Sequence, residues 1–195
     1  MKKMPRGFGL YAALAVLLAA GLIALLIVGP RWLTTAPAET APAAVAAADV
    51  RKIRARLFYV DEQGTALTGV EQEVLYAEGT AEQARRIIEA QIAPPAAPYV
   101  SAIPLGTKLR TVFSTKGGEI YVDLSAELHT NHPGGTMNET LTVYALVSAL
   151  TSNLPAVTGV QILVEGKEVD TLAGHVDLRH PLEKNLKWVK TEKED

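Results

Sequence analysis

From Asp49 onward, polar and apolar positions first alternate and then recur at helical spacing. In IRARLFYV, Ile53, Ala55, Leu57 and Tyr59 alternate with Arg54, Arg56, Phe58 and Val60, the period of a half-buried strand. After a DEQGT turn, LTGVEQEVLY places Val70, Gln72, Val74 and Tyr76 on one face of a second strand. GTAEQARRIIEAQI changes period: Ala84, Ile87, Ile88 and Ile92 form a helical stripe, and Thr80 with Gln83 reads as a capping box. Pro94, Pro95 and Pro98 stop this helix. KLRTVFS and EIYVDLS flank Thr115-Lys116-Gly117-Gly118 as a hairpin. The polar loop AELHTNHPGGT follows.

A second capping box, Thr136 with Glu139, then opens a helix whose buried stripe is Val143, Leu146, Val147, Leu150 and Leu154. Val160, Ile162 and Val164 share one face of a last main strand, and Glu165-Gly166-Lys167 turns the chain. The predicted order is β-β-α-β-β-α-β with one or two further short strands. This is an α+β fold in which a mixed β-sheet has two helices packed on one face. Ile88, Leu146, Val147, Leu150 and Ile162 are expected in its core.

The N-terminal pattern is different. Leu10 to Val28 carries no charge, and roughly 20 apolar residues cross a bilayer core. A cleaved signal peptide has a shorter apolar region and a nearby A-x-A site; here the nearest, Ala36-Pro37-Ala38, lies well beyond the run. Residues 1–30 are therefore expected to form an uncleaved transmembrane anchor. Lys2, Lys3 and Arg6 outnumber Arg31, which puts the N-terminus in the cytoplasm and the remainder outside. Residues 31–48, rich in Ala and Pro, read as a linker, 49–185 as one domain, and 186–195 as a charged tail.

The chain has no cysteine, which removes disulfides, thiolate metal sites and lipidation of a cysteine. From Asp49 onward 15 Lys or Arg stand against 20 Asp or Glu, a net charge of −5 with no basic patch. Nucleic acid is not an expected partner. His129 and His132 are three apart, and His175 and His180 five apart; with Asp123 or Asp177 such spacings can be imagined around zinc, yet no helix fixes either pair as H-E-x-x-H does. Ser125 and Ser148 lack a G-x-S-x-G elbow. Glu119, Asp123 and Glu127 nearly alternate, as paired carboxylates for glycoside hydrolysis could, but a strand's wet face has the same pattern. No cofactor or metal is expected.

Several segments together resemble a known family. These are IPLGTKLRTVF; the strand V-D-L-S at Val122 to Ser125; the glycine-led helix entry at Gly135 with Glu139; VTGVQILVEG at Val157 to Gly166; and GHVDLRHPL at Gly174 to Leu182. In order and spacing they resemble the GerMN domain of sporulation and germination proteins, over about residues 50–185. The resemblance implies a fold similar to ring-building motifs and an extracytoplasmic, membrane-tethered module with no known catalytic centre. This chain carries one such domain, with a transmembrane anchor where many relatives have a lipidated cysteine.

The expected function is binding or scaffolding at the cytoplasmic membrane of a bacterial envelope, as a single-pass protein with its C-terminal domain outside. Its expected partners are the membrane and an envelope protein or a second copy, with peptidoglycan as a further candidate. The alternative is a glycan-binding module or peptidoglycan hydrolase using the His and carboxylate loops. Candidate contact residues are Glu127, His129, Asn131, His132, His175, Asp177 and His180. Asp177 is expected to organise a turn, and alanine at His129 and His132 together to leave folding nearly intact.

Overall fold

The computed structural model describes residues 51–190. The expected anchor, linker and last five residues lie outside them. Among the described residues no helix is long and apolar enough to cross a membrane.

The elements are β1 (Lys52–Val60), β2 (Leu67–Leu75), α1 (Thr80–Ile92), β3 (Leu109–Ser114), β4 (Glu119–Leu124), α2 (Glu127–Thr130), α3 (Thr136–Asn153), β5 (Gly159–Val164) and β6 (Lys167–Glu168). A turn of 3₁₀ helix follows at Leu186–Trp188. The expected order holds, and the class is α+β. The single mixed sheet does not form. β1 and β2 make a two-stranded sheet, and β3-β4-β5-β6 a separate four-stranded one, in which only the β4–β5 pairing is parallel.

The separation has a local cause. The edge of β1 that faces away from β2 is occupied by side-chain amides. Gln91 of α1 accepts from the Phe58 N–H at 2.8 Å and donates to its carbonyl at 2.7 Å. Asn153, at the end of α3, does the same for Arg56, both at 2.8 Å. The Val60 N–H donates to the Val100 carbonyl. Each amide offers the donor and acceptor that a neighbouring strand would offer, so β1 ends the sheet.

The predicted stripe of α3 is only part of what it buries. Every residue from Glu139 to Thr151 except Tyr144 is buried. The helix touches β1, β5, α1 and the 3₁₀ turn, so it has no wet face. Its buried hydroxyls turn back on the helix, Thr140 to the Thr136 carbonyl and Thr151 to that of Val147. Ile88, Leu146, Val147, Leu150 and Ile162 are all buried as expected.

Neither capping box forms. Gly79 and Gly135 hold the cap positions at φ 81° and 85°, and no side chain bonds there. Gln83 accepts from the Ala77 N–H instead, and Glu139 is used elsewhere. The loop read from Glu127 onward begins as the short helix α2, anchored by buried Leu128. Residues 186–190, read as the start of a tail, are packed: Trp188 lies 6.5 Å from Tyr144, and the Lys190 N–H donates to Leu67. The Lys190 ammonium is 2.8 Å from Asp61. Burial opposes ionisation of Asp61, but Lys190 and the N–H groups of Thr65 and Ala66 outweigh it and draw the carboxyl down to about 2.

Candidate functional site

β4 and β5 are parallel and joined through α3, so their C-terminal ends, the start of β3 and the first turn of α3 share one end of the four-stranded sheet. That end carries the loop 104–107, α2 with its exit, and the loop 170–176. Glu139 stands at its centre. It is fully buried in the first turn of α3.

One Glu139 oxygen accepts from the Leu172 N–H at 2.8 Å; the other accepts from the His175 N–H at 2.8 Å and lies 3.0 Å from His175 Nδ1. Burial works against the carboxylate charge. The converging N–H groups of Ala173, Leu172, His175 and Val176 win, and they hold the carboxyl below its ordinary range. The loop is thus an anion nest filled by the protein's own side chain. Because an ionised carboxylate only accepts, Nδ1 of His175 carries a proton and donates it to Glu139 from an exposed ring.

His132 is built into the same end. Its Nδ1 accepts from the Gly134 N–H at 3.0 Å, which leaves the ring proton on Nε2, 3.2 Å from the Thr142 hydroxyl. That hydroxyl donates to the Ala102 carbonyl at 2.6 Å. Burial pushes the imidazole pKa down, although Glu139 pulls the other way. Both ring nitrogens serve the fold. Replacing His132 together with exposed His129 is therefore expected to cost stability, against the reading from sequence.

Glu127 and Asn131 frame the loop before β3. Asn131 donates to the Leu105 carbonyl at 3.0 Å, and the Glu127 side chain packs beside Gly106. Leu105 itself is 82% exposed, held out between these contacts. Ser125 chiefly draws the Glu127 carboxyl below its ordinary range. Sequence reasoning named neither Leu105 nor the role of Glu139. The available signal was that Glu139 is followed by 25 residues without a charge. A lone carboxylate at the head of such a run must be paired or it would not be tolerated there.

The two remaining candidates lie on a strap that runs back along β5. Asp177 accepts from the Arg179 N–H at 3.1 Å, the expected Asx-type turn, and pairs with the Arg179 guanidinium at 2.7 Å. His180 is exposed near Pro181, which abuts Gly159 at the start of β5. His175 is held at the opposite end of that strand, so the five-residue spacing does not make a ligand pair. Among the described residues no group of three or more His, Asp or Glu is placed to hold a metal.

The proposed carboxylate pair is also dispersed. Asp123 is buried; it accepts from the Gly166 N–H at 2.7 Å and from Arg110 at 2.9 Å. Arg110 reaches on to Glu165 at 2.8 Å, whose second oxygen takes the Ala126 N–H. Glu165 needs this support, since it sits at φ 53° in the β5–β6 turn. Ser125 accepts from the Lys108 N–H, and Ser148 is enclosed in α3.

The profile of the Germane family, described as sporulation and spore germination, matches residues 56–170. The match stops just before the loop that bears His175. No curated protein matches the chain. A crystal structure of a candidate lipoprotein from Clostridium perfringens aligns at 25% identity, covering 68% of this chain and 88% of that one, with a TM-score of 0.50. The tandem GerMN domains of the sporulation protein GerM from Bacillus subtilis align at 14% identity, over 69% of this chain and 45% of that one, at 0.49. The first of those domains alone aligns at 19% identity, over 68% and 98%, also at 0.49.

Proposed function

The chain belongs to the Germane family of GerMN-type sporulation and germination domains, and from that premise we propose that it is a binding or scaffolding module of a bacterial envelope, not an enzyme. In this reading Leu10 to Val28 anchors it in the cytoplasmic membrane, residues 31–48 space it from the bilayer, and the domain stands outside. The likeness to a candidate lipoprotein supports a domain held at a membrane. Its partner is an envelope protein, met at the end of the sheet where Leu105, α2 and the His175 loop are presented.

One observation carries the proposal. The ionisable side chains of that end are spent on holding loops in place: Glu139 on 172–176, His132 on Gly134 and Thr142, Asp123 on Gly166 and Arg110. What they leave outward is a braced surface bearing a large apolar side chain, which suits recognition by area and shape. The hydrolase alternative has the His175–Glu139 pair in its favour, since a carboxylate on Nδ1 orients Nε2 as it does in a general base.

Photo-crosslinking in cells from a reactive residue at Leu105, with Arg179 as the control position, tests the binding reading. A discrete protein adduct from Leu105 alone is expected. Release of soluble fragments from peptidoglycan by the purified chain, abolished by His175→Ala, would put the hydrolase in its place.

A further inference from the structure

Each sheet edge but one is managed. The free side of β1 is taken by Gln91, Asn153 and Val100. The free side of β5 is met by β6, by Leu182 at Val160, and by the Gln161 amide bonding the Leu178 carbonyl. β2 is covered at its start by Val189 and Lys190; beyond that, its outward face carries the cross-strand ion pairs Lys52–Glu73 and Arg54–Glu71. Charge on an edge strand discourages pairing with another chain.

β3 carries such devices only at its start, where Arg110 pairs with Asp123 across the strands and the register shifts between Leu109 and Thr111; among the described residues Thr111 to Ser114 has none. It is the outer strand of the four-stranded sheet. The Thr115 N–H bonds the Glu119 carbonyl, and Phe113 pairs with Tyr121 and Thr111 with Asp123 in the same phase. The peptide groups of Val112 and Ser114 therefore point away from β4, and they have no hydrogen-bond partner among the described residues. Between them, Phe113 is 56% exposed on the face opposite the helices.

We infer that β3 is a self-pairing edge, through which two copies of this chain join antiparallel about a two-fold axis at Phe113. In that register Val112 of each copy exchanges two N–H···O bonds with Ser114 of the other. Phe113 faces its own counterpart in a non-hydrogen-bonded pair, the close kind, where aromatic side chains meet. Thr111 then lies opposite Thr115. The only like charges brought together are Arg110 and Lys116 at the rim, and salt screens such a pair. The same operation on β2 about Gln72 would set Glu71 against Glu73 of the other copy, a like-charge pair beside the axis that β3 does not have. The result is one continuous sheet twice as wide, with the loop ends of both copies left uncovered. The contact is short and buries well under the roughly 800 Å² per partner of a standard interface, so it forms at high local concentration.

The absence of cysteine makes the test clean. Full-length chain carrying Phe113→Cys is purified in detergent, concentrated and oxidised, beside a Glu71→Cys control. The close pair places Cα atoms about 4.5 Å apart, within disulfide reach. Disulfide-linked dimer from Phe113→Cys with monomer from Glu71→Cys is expected. Equal yields, or no dimer from Phe113→Cys, overturn the proposal. The unmodified chain, sedimented over a range of concentrations, should show a dimer that added salt strengthens and Phe113→Lys abolishes, with unchanged far-ultraviolet circular dichroism. A wild-type chain that stays monomeric at the highest concentration also overturns it.

Discussion

The two ends of α3 do the same work with different chemistry. At its start the Glu139 carboxylate gathers N–H groups of the loop 172–176; at its end the Asn153 amide gathers both peptide groups of Arg56. Each end uses one polar side chain to fix a segment far away in sequence. The first is ionised, fully buried and answered only by donors. The second is neutral, half-buried and answered by a donor and an acceptor. The charged end is the stronger tie and the one that depends on pH, whereas the neutral end is weaker and indifferent to pH.

The largest effect is expected from Glu139→Leu, which leaves several loop N–H groups buried without an acceptor. It should cost about 4 kcal/mol in urea unfolding. A cost below about 1 kcal/mol would mean that water replaces the carboxylate and that the two ends do not differ. Leu150→Ala measures the helix between the ends, where packing alone acts. A loss of about 3 kcal/mol is expected for its fully buried side chain. Asn153→Ala should cost about 1–2 kcal/mol, because water can reach the half-buried edge it covers. If it cost as much as Glu139→Leu, charge would not be what separates the ends.

The smallest effect, and the sharpest, is in pH. The pKa of His132 is lowered from its ordinary 6.5, so its neutral form favours the fold. Its contribution is complete above 6.5 and declines as pH falls toward the lowered value, since the unfolded chain binds the proton first. Glu139 is lowered from 4.5; its contribution is complete above 4.5 and declines as pH falls through the folded value. Hydrogen exchange should therefore loosen 132–135 in the upper window and 172–176 only in the lower one. The Asn153 contact to β1 should keep its protection through both. His132→Gln should remove the upper phase alone.

Much of this was visible in the sequence, for reasons that also show where the view ended. Strand and helix periods report which side of an element meets the core, so Ile88, Leu150 and Ile162 could be placed without the structure. Period says nothing of a polar side chain that reaches across the fold. Glu139 in the first turn of a helix looks like a capping glutamate, because the same atoms at the same position serve either use. Gln91 looks like the wet side of α1 until β1 is known to pass beside it. His175 and His180 looked like a pair because spacing along the chain was all there was to judge; the strap that separates them follows from where β5 runs. The sequence led to one mixed sheet because two amides acting as a missing strand leave no local signature.

The parallel pairing of β4 with β5 bears on how the chain reaches this state. β3 and β4 are neighbours joined by the four residues 115–118, and β1 and β2 by the six residues 61–66, so both hairpins can close within microseconds. The second side of β4 must wait for a strand 40 positions later, since Ile120 meets Val160. The chain between them forms α2 and α3. A β3–β4 hairpin on its own lacks the β5 partner that covers the second side of β4. The slow step is thus a long-range closure. The pairing that completes the four-stranded sheet is the most non-local one between its strands, and a weakened α3 is expected to slow it more than it slows either hairpin.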